Sequence, residues 1–279
     1  MNAMKEVFRR DKESLMKDAN IYVVTHKKYK LSDYLKNQGY KLISVGNANK
    51  INNAGEKDNT GDNISEKNAN YCELTALYWI WKNDRQSKYK GLCHYRRYFT
   101  TSIFSKDEKK YLTIDDAEKL LKKADIIVPE KQYFVRSARE NYLRCGYQED
   151  LQITYNVLKE KYPEYLEIYD KVLDGNWSYL TNMLIAPKKI FDDYCEWLFD
   201  ILLEVEKRTD ITGYSIQEAR IFGYISERLL TVWLLKNQYS VIEKHTVNTE
   251  EKLNYIKEIM IKLKIYQFLK TMIWKIRNK

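Results

Sequence analysis

Residues 91–99, Gly91-Leu92-Cys93-His94-Tyr95-Arg96-Arg97-Tyr98-Phe99, bring a His, two Arg and three aromatic rings to the end of a short apolar run. Cations at this density are costly to bury without an anion. An Arg fork matches phosphate oxygens bidentately, a His adds a hydrogen bond, and a Tyr face stacks on a base or sugar. His94, Tyr95, Arg96 and Arg97 are therefore the leading candidates for a site that takes a phosphorylated ligand. The alternative is a strand end whose adjacent Arg side chains point to opposite faces, leaving one of them to a structural ion pair.

Three other segments carry chemistry. An apolar run over residues 21–24 ends in Thr25-His26-Lys27-Lys28-Tyr29, polar and basic where a βα loop begins. In open α/β sheets that corner, beyond the strand's carboxyl end, receives the ligand, so Thr25, His26 and Lys27 join the candidate site. Neither G-x-G-x-x-G nor G-x-x-x-x-G-K-[ST] is present, which disfavours dinucleotide enzymes and P-loop NTPases. In Asp58-Asn59-Thr60-Gly61-Asp62-Asn63, the residues Asp58, Gly61 and Asn63 could bond ribose or base edges, and the same composition suits a turn. Arg220, Gly223 and Glu227 share one helical face, making Glu227 a candidate general base and Arg220 its orienting partner or a phosphate ligand. A plain intrahelical charge network has the same spacing. Asp150 is a second candidate base or a cap for a helix starting at Leu151. Asp115-Asp116 and Asp192-Asp193 read as solvated surface.

The elements that must position these groups follow from periodicity. Leu74, Leu77, Tyr78 and Trp81 lie at helical spacing just ahead of the His-Arg block. Strands are expected at residues 21–25, 41–45, 90–94, 125–128 and 183–186, and residues 46–65, rich in Asn, Gly and Asp, read as a long functional loop. From Leu151 onward helices dominate, over residues 151–158, 191–205 and 216–235. Strand runs alternating with helical periodicity predict an α/β fold with a mostly parallel central sheet flanked by helices, and a helical C-terminal half.

At 279 residues the chain is long enough to bury a core without disulfides. Its four Cys are scattered and its three His are few, which argues against a zinc site and for reduced thiols in the cytoplasm. Residues 1–20 are charged and lack the apolar core of a signal peptide, and no window has the run of apolar residues a membrane span needs. The net charge of +9 is uneven: residues 250–279 hold eight basic and three acidic residues among apolar ones, or +5. That is a basic amphipathic helix suited to an anionic membrane surface, or a final helix packed on the domain. The 24 Tyr could stack on bases, yet no nucleic-acid module accompanies them, so nucleic acid is not expected as a partner. The expected layout is a charged extension (1–20), one domain (21–249) and a basic tail (250–279).

The chain resembles the bacterial family of capsular and exopolysaccharide biosynthesis proteins, whose domain of once-unknown function is placed among glycosyltransferases with a GT-A-like fold. The resemblance spans residues 21–235. It rests on Ile21-Tyr22-Val23-Val24-Thr25-His26-Lys27, on Asn68 and Tyr71-Cys72-Glu73-Leu74 through Asn83, on the 91–99 block, on Asn182-Met183-Leu184-Ile185 and on residues 220–230. Family members tend to carry a His near Gly146, which this chain lacks. The resemblance implies transfer from a UDP-linked sugar, with galactofuranose and galactose as candidates, to a lipid-linked glycan at the inner face of the plasma membrane. It also adds Asn182 to the donor site. Most GT-A enzymes hold a divalent metal on an Asp-x-Asp; here the corresponding corner carries His94-Tyr95-Arg96, so an inverting, metal-independent reaction without cofactor is expected. The competing expectations are a non-catalytic nucleotide-sugar or glycan-binding subunit and a basic RNA-binding protein.

Overall fold

All seven residues of the first strand, β1 (Ala19–Thr25), are buried. Ile21 and Val23 face one core while Tyr22 and Val24 face the other, and a strand covered on both faces reads as a continuous apolar run. The computed structural model describes residues 19–252 together with Leu269 and Met272.

The remaining strands are β2 (Tyr40–Ser44), β3 (Glu56–Lys57), β4 (Tyr89–His94), β5 (Arg97–Phe99), β6 (Ile126–Pro129), β7 (Gln132–Tyr133), β8 (Trp177–Ser178), β9 (Leu184–Pro187), β10 (Val241–Lys244) and β11 (Thr246–Asn248). The central sheet runs β10-β6-β9-β4-β1-β2-β3, with β5 linking β4 to β11, while β7 and β8 form a separate ribbon. β1 is parallel to β2 and β4, β3 to β2, and β10 to β6. Only β9 is reversed along this path, antiparallel to both β4 and β6. The expected α/β fold with a mostly parallel sheet is what forms.

The reversal of β9 decides where the site lies. The carboxyl ends of β1, β2 and β4 open at one edge, and with Leu92 opposite Leu184, the residues just before β9 arrive beside His94. Gly91 makes this pairing close: a Cβ there would stand 2.8 Å from Ile185 Cγ1.

One face of the sheet carries the larger core, built with helices Leu74–Asn83, Gln148–Lys161, Leu166–Asp174, Lys188–Arg208 and Ile221–Lys236. The other is covered by helix Ile114–Leu121 and the Tyr98–Tyr111 stack.

Several expectations change. Residues 46–65 are not one loop: they hold helix Ala48–Ile51 and strand β3. The late helix begins at Ile221, not at residue 216, with a 3-10 turn, Glu218–Arg220, ahead of it. After β4 the chain reverses at Tyr95-Arg96 into an additional antiparallel strand, β5. Asp192 is no solvated carboxylate, since it accepts from the fully buried Lys90 Nζ at 2.7 Å. Asp116 closes a capping box with Thr113. The basic tail expected over residues 250–279 falls largely outside the described residues, as do residues 1–18 of the charged extension.

Candidate functional site

The carboxyl ends of β1 and β4 meet at a cationic corner. Thr25 turns the chain out of β1, its Oγ1 donating to Lys27 O (2.9 Å) and accepting from Lys27 N (3.3 Å). Asn52 fixes the same loop, accepting from Tyr29 N (3.1 Å) and donating to Lys27 O (3.1 Å). The buried Tyr95 ring is the platform: Lys27 Nζ lies 4.5 Å from its centroid, the Arg96 guanidinium 5.8 Å, and the His26 ring meets it edge-on at 5.4 Å. The face expected to stack on a base therefore carries a cation instead. Burial, then Arg96 and Lys27, hold the His26 pKa below its ordinary value, opposed by Glu250. Lys27 is pushed upward by its bond to Glu250.

Arg97 stands beside this corner, near enough to Arg96 for the two charges to repel. It is half-buried and makes no ion pair or side-chain hydrogen bond among the described residues, although Glu251, Glu73 and Glu227 stand close enough to bias its charge. Beside it, His94 Nε2 is buried with no partner, and burial lowers the His94 pKa, opposed by Glu73. A half-buried guanidinium and an unsatisfied imidazole nitrogen, paired across the reversal from β4 to β5, are groups that a ligand satisfies.

The carboxylate side is built from three distant segments, residues 68–73, 181–182 and 220–228. Glu227 accepts from Thr181 N (2.8 Å) and from Arg228 Nη1 (3.0 Å), and desolvation raises its pKa against the pull of Arg228. Glu73 accepts from Asn182 Nδ2 (2.8 Å), and Asn182 Oδ1 accepts from Ser226 Oγ (2.8 Å). Thr181 and Asn182 both have positive φ, 80° and 52°, and Cys72 has 54°. Such conformations cost about 1–3 kcal/mol each and persist only where surroundings over-determine them. Here Cys72 is tied by Asn68 Nδ2 to its carbonyl (2.7 Å) and by Arg220 Nε to its sulfur (3.0 Å). Its thiol is pushed up to about 11, chiefly by burial, so it is no thiolate nucleophile. The late helix meets this strained turn at Gly223, where a Cβ would be in ordinary van der Waals contact, 3.6 Å from Cys72 Sγ.

The structure thus brings together Thr25, His26, Lys27, His94, Tyr95, Arg96, Arg97, Asn182, Arg220 and Glu227, and corrects other expectations. Arg220 does not orient Glu227, because Arg228 and the Thr181 amide do; Arg220 instead bonds Cys72 and biases His26. Asp150 is wholly buried and accepts from Tyr142 and Tyr214 hydroxyls and Tyr147 N, each at 2.8 Å, which makes it a helix cap and not a base. Asp58 is equally buried, its oxygens taken by Asn49 Nδ2 (2.6 Å) and Thr75 Oγ1 (2.5 Å). Gly61 and Asn63 form a turn against Asn83, at the far end of a helix about 15 Å long whose other end is the site. Sequence reasoning missed Glu73, Thr181 and Arg228. Glu73 directly precedes a recognisable helix, whereas Thr181 and Arg228 carry no local signal.

A hard divalent cation needs several convergent oxygens. Among the described residues no group of three His, Cys, Asp or Glu is placed to hold a metal ion.

Comparison with solved structures finds the apo structure of WbbM, a bifunctional glycosyltransferase, with a TM-score of 0.74 and 31% identity. The match covers 84% of this chain and 46% of that one, so the chain spans less than half of this neighbour. No curated protein matches. The shared architecture is GT-A-like. With residues 20–238 matched by its family model, the chain belongs to the family of the domain of unknown function DUF4422.

Proposed function

We propose that this chain is a glycosyltransferase that moves a sugar from a UDP-linked donor, galactofuranose or galactose being the first to test, to a lipid-linked capsular, exopolysaccharide or O-antigen glycan. The observation that carries the reading is the half-buried Arg97 beside the unpartnered His94 Nε2, at the strand end where an α/β fold takes its ligand. The likeness to a bifunctional glycosyltransferase over most of the chain supports it.

In the proposed reaction the bond between the sugar's anomeric carbon and the diphosphate oxygen breaks, and UDP leaves with the electron pair. The acceptor hydroxyl oxygen bonds the anomeric carbon from the opposite face and gives its proton to Glu227. Arg97, Arg96 and Lys27 hold the charge that develops on the diphosphate. A carboxylate with a raised pKa in a partly closed site is suited to the base role, and the Thr181 amide and Arg228 fix its orientation.

Binding of UDP and a panel of nucleotide sugars, followed by calorimetry, tests this. A charged hydrogen bond is worth about 1.5–3 kcal/mol, so Arg97→Ala should weaken UDP binding by roughly tenfold to a hundredfold. A folded Arg97→Ala protein that binds UDP like the parent would remove the diphosphate assignment. Turnover with the identified donor should persist in EDTA; complete loss, restored by manganese or magnesium, would refute metal independence.

A further inference from the structure

We infer that Glu250 is a built-in occupant of the diphosphate site, so that donor binding is an exchange in which the 248–251 segment gives up its place. The inference rests on the donor reading above.

The Glu250 carboxylate accepts from Lys27 Nζ at 2.6 Å and from Arg96 Nη1 at 3.4 Å. These cations come from the ends of two neighbouring strands, and they converge on one carboxylate as they would on one phosphate. The segment that delivers it is anchored rather than adventitious. β11 pairs with β5, setting Asn248 opposite Arg97. Thr249 N donates to Arg96 O at 2.9 Å, and Glu250 N to Asn248 Oδ1 at 3.1 Å. Glu251, next along, is held by Asn248 Nδ2 at 2.6 Å and lies near enough to favour the charged form of Arg97.

The strength of this closure follows from exposure. Side-chain exposures of 49% for Lys27, 38% for Arg96 and 43% for Glu250 make both ion pairs solvent-screened. A single carboxylate held this way keeps the cations paired while the site is empty, and it yields to a diphosphate that brings at least two charges and more acceptor oxygens. The cost to the donor is the fraction of molecules in which the segment is closed.

Calorimetry on the full-length protein, with UDP and separately with inorganic pyrophosphate, tests the exchange. Glu250→Gln should bind both about three- to tenfold more tightly than the parent, the range that two exposed pairs can withhold. Glu167→Gln, which removes the same charge from an exposed carboxylate that bonds neither Lys27 nor Arg96 and does not bias Arg97, should stay within about twofold. Hydrogen exchange over residues 248–251 should accelerate at saturating UDP. Equal affinity of Glu250→Gln and the parent, equal gains in both variants, or slower exchange with UDP would each overturn the exchange. Failure of the parent and both variants to bind UDP or pyrophosphate would overturn the donor reading itself.

Discussion

Glu227 and Glu73 enter one site with different tasks. Glu73 is bonded to Asn182 and holds a strained turn, while Glu227 has its pKa raised by desolvation against the pull of Arg228, the Thr181 amide and Arg97. The sign of the pH dependence follows. A base works only when deprotonated, and burial favours the protonated form, so turnover falls as pH drops through a value above the ordinary 4.5 of a glutamate. The acid limb of the kcat profile should lie above that value. Glu227→Gln retains an acceptor for the Thr181 amide, so it should keep UDP affinity and lose about a hundredfold or more in kcat. Undiminished turnover in a folded Glu227→Gln protein would transfer the base role to Glu73.

Among elements, β4 and helix Lys188–Arg208 are joined by the Lys90–Asp192 pair. Lys90 is wholly buried, its Nζ also directed at Ile80 O at 3.5 Å, so its ammonium depends on that one carboxylate. Removing one partner of a buried pair leaves an uncompensated charge, whereas replacing both by apolar groups is often neutral. Asp192→Ala should therefore lose about 3 kcal/mol in urea unfolding, and Lys90→Met combined with Asp192→Ala should recover most of it. Equal losses in the single and double variants would show that the pair is not what β4 requires. The same strand carries His94, so the single variant should also weaken UDP binding if β4 shifts.

For the whole molecule, the excess of positive charge over residues 250–279 sits on residues most of which lie outside the described ones. Among the described residues no helix is long and apolar enough to cross a membrane. An acceptor held on a lipid would still require recruitment, and each Lys or Arg near an anionic surface contributes roughly 1 kcal/mol. The full chain should float with anionic liposomes at low salt and lose binding at high salt, and a version ending at Lys252 should float much less. Equal flotation of both, or none on anionic vesicles, would place membrane recruitment elsewhere.

The sequence by itself determined five strands of the central sheet and pointed to the dense end of the candidate site. Apolar runs bounded by polar residues mark β1, β2, β4, β6 and β9, because a strand covered on both faces has to be apolar throughout. The His94-Tyr95-Arg96-Arg97 block was legible as a candidate because cations crowded at a strand end are costly to bury without an anion. Tertiary structure alone decided what faces that block. The reversal of β9 depends on pairing with strands far away in the chain, and side-chain periodicity specifies a face, not a partner. So Thr181 and Asn182 could not be set beside Glu73 and Glu227 from sequence. Nor could Asp150 and Asp58 be told from catalytic carboxylates, since a helix cap, a buried loop clamp and a general base all call for the same side chain, and only the donors around it distinguish them.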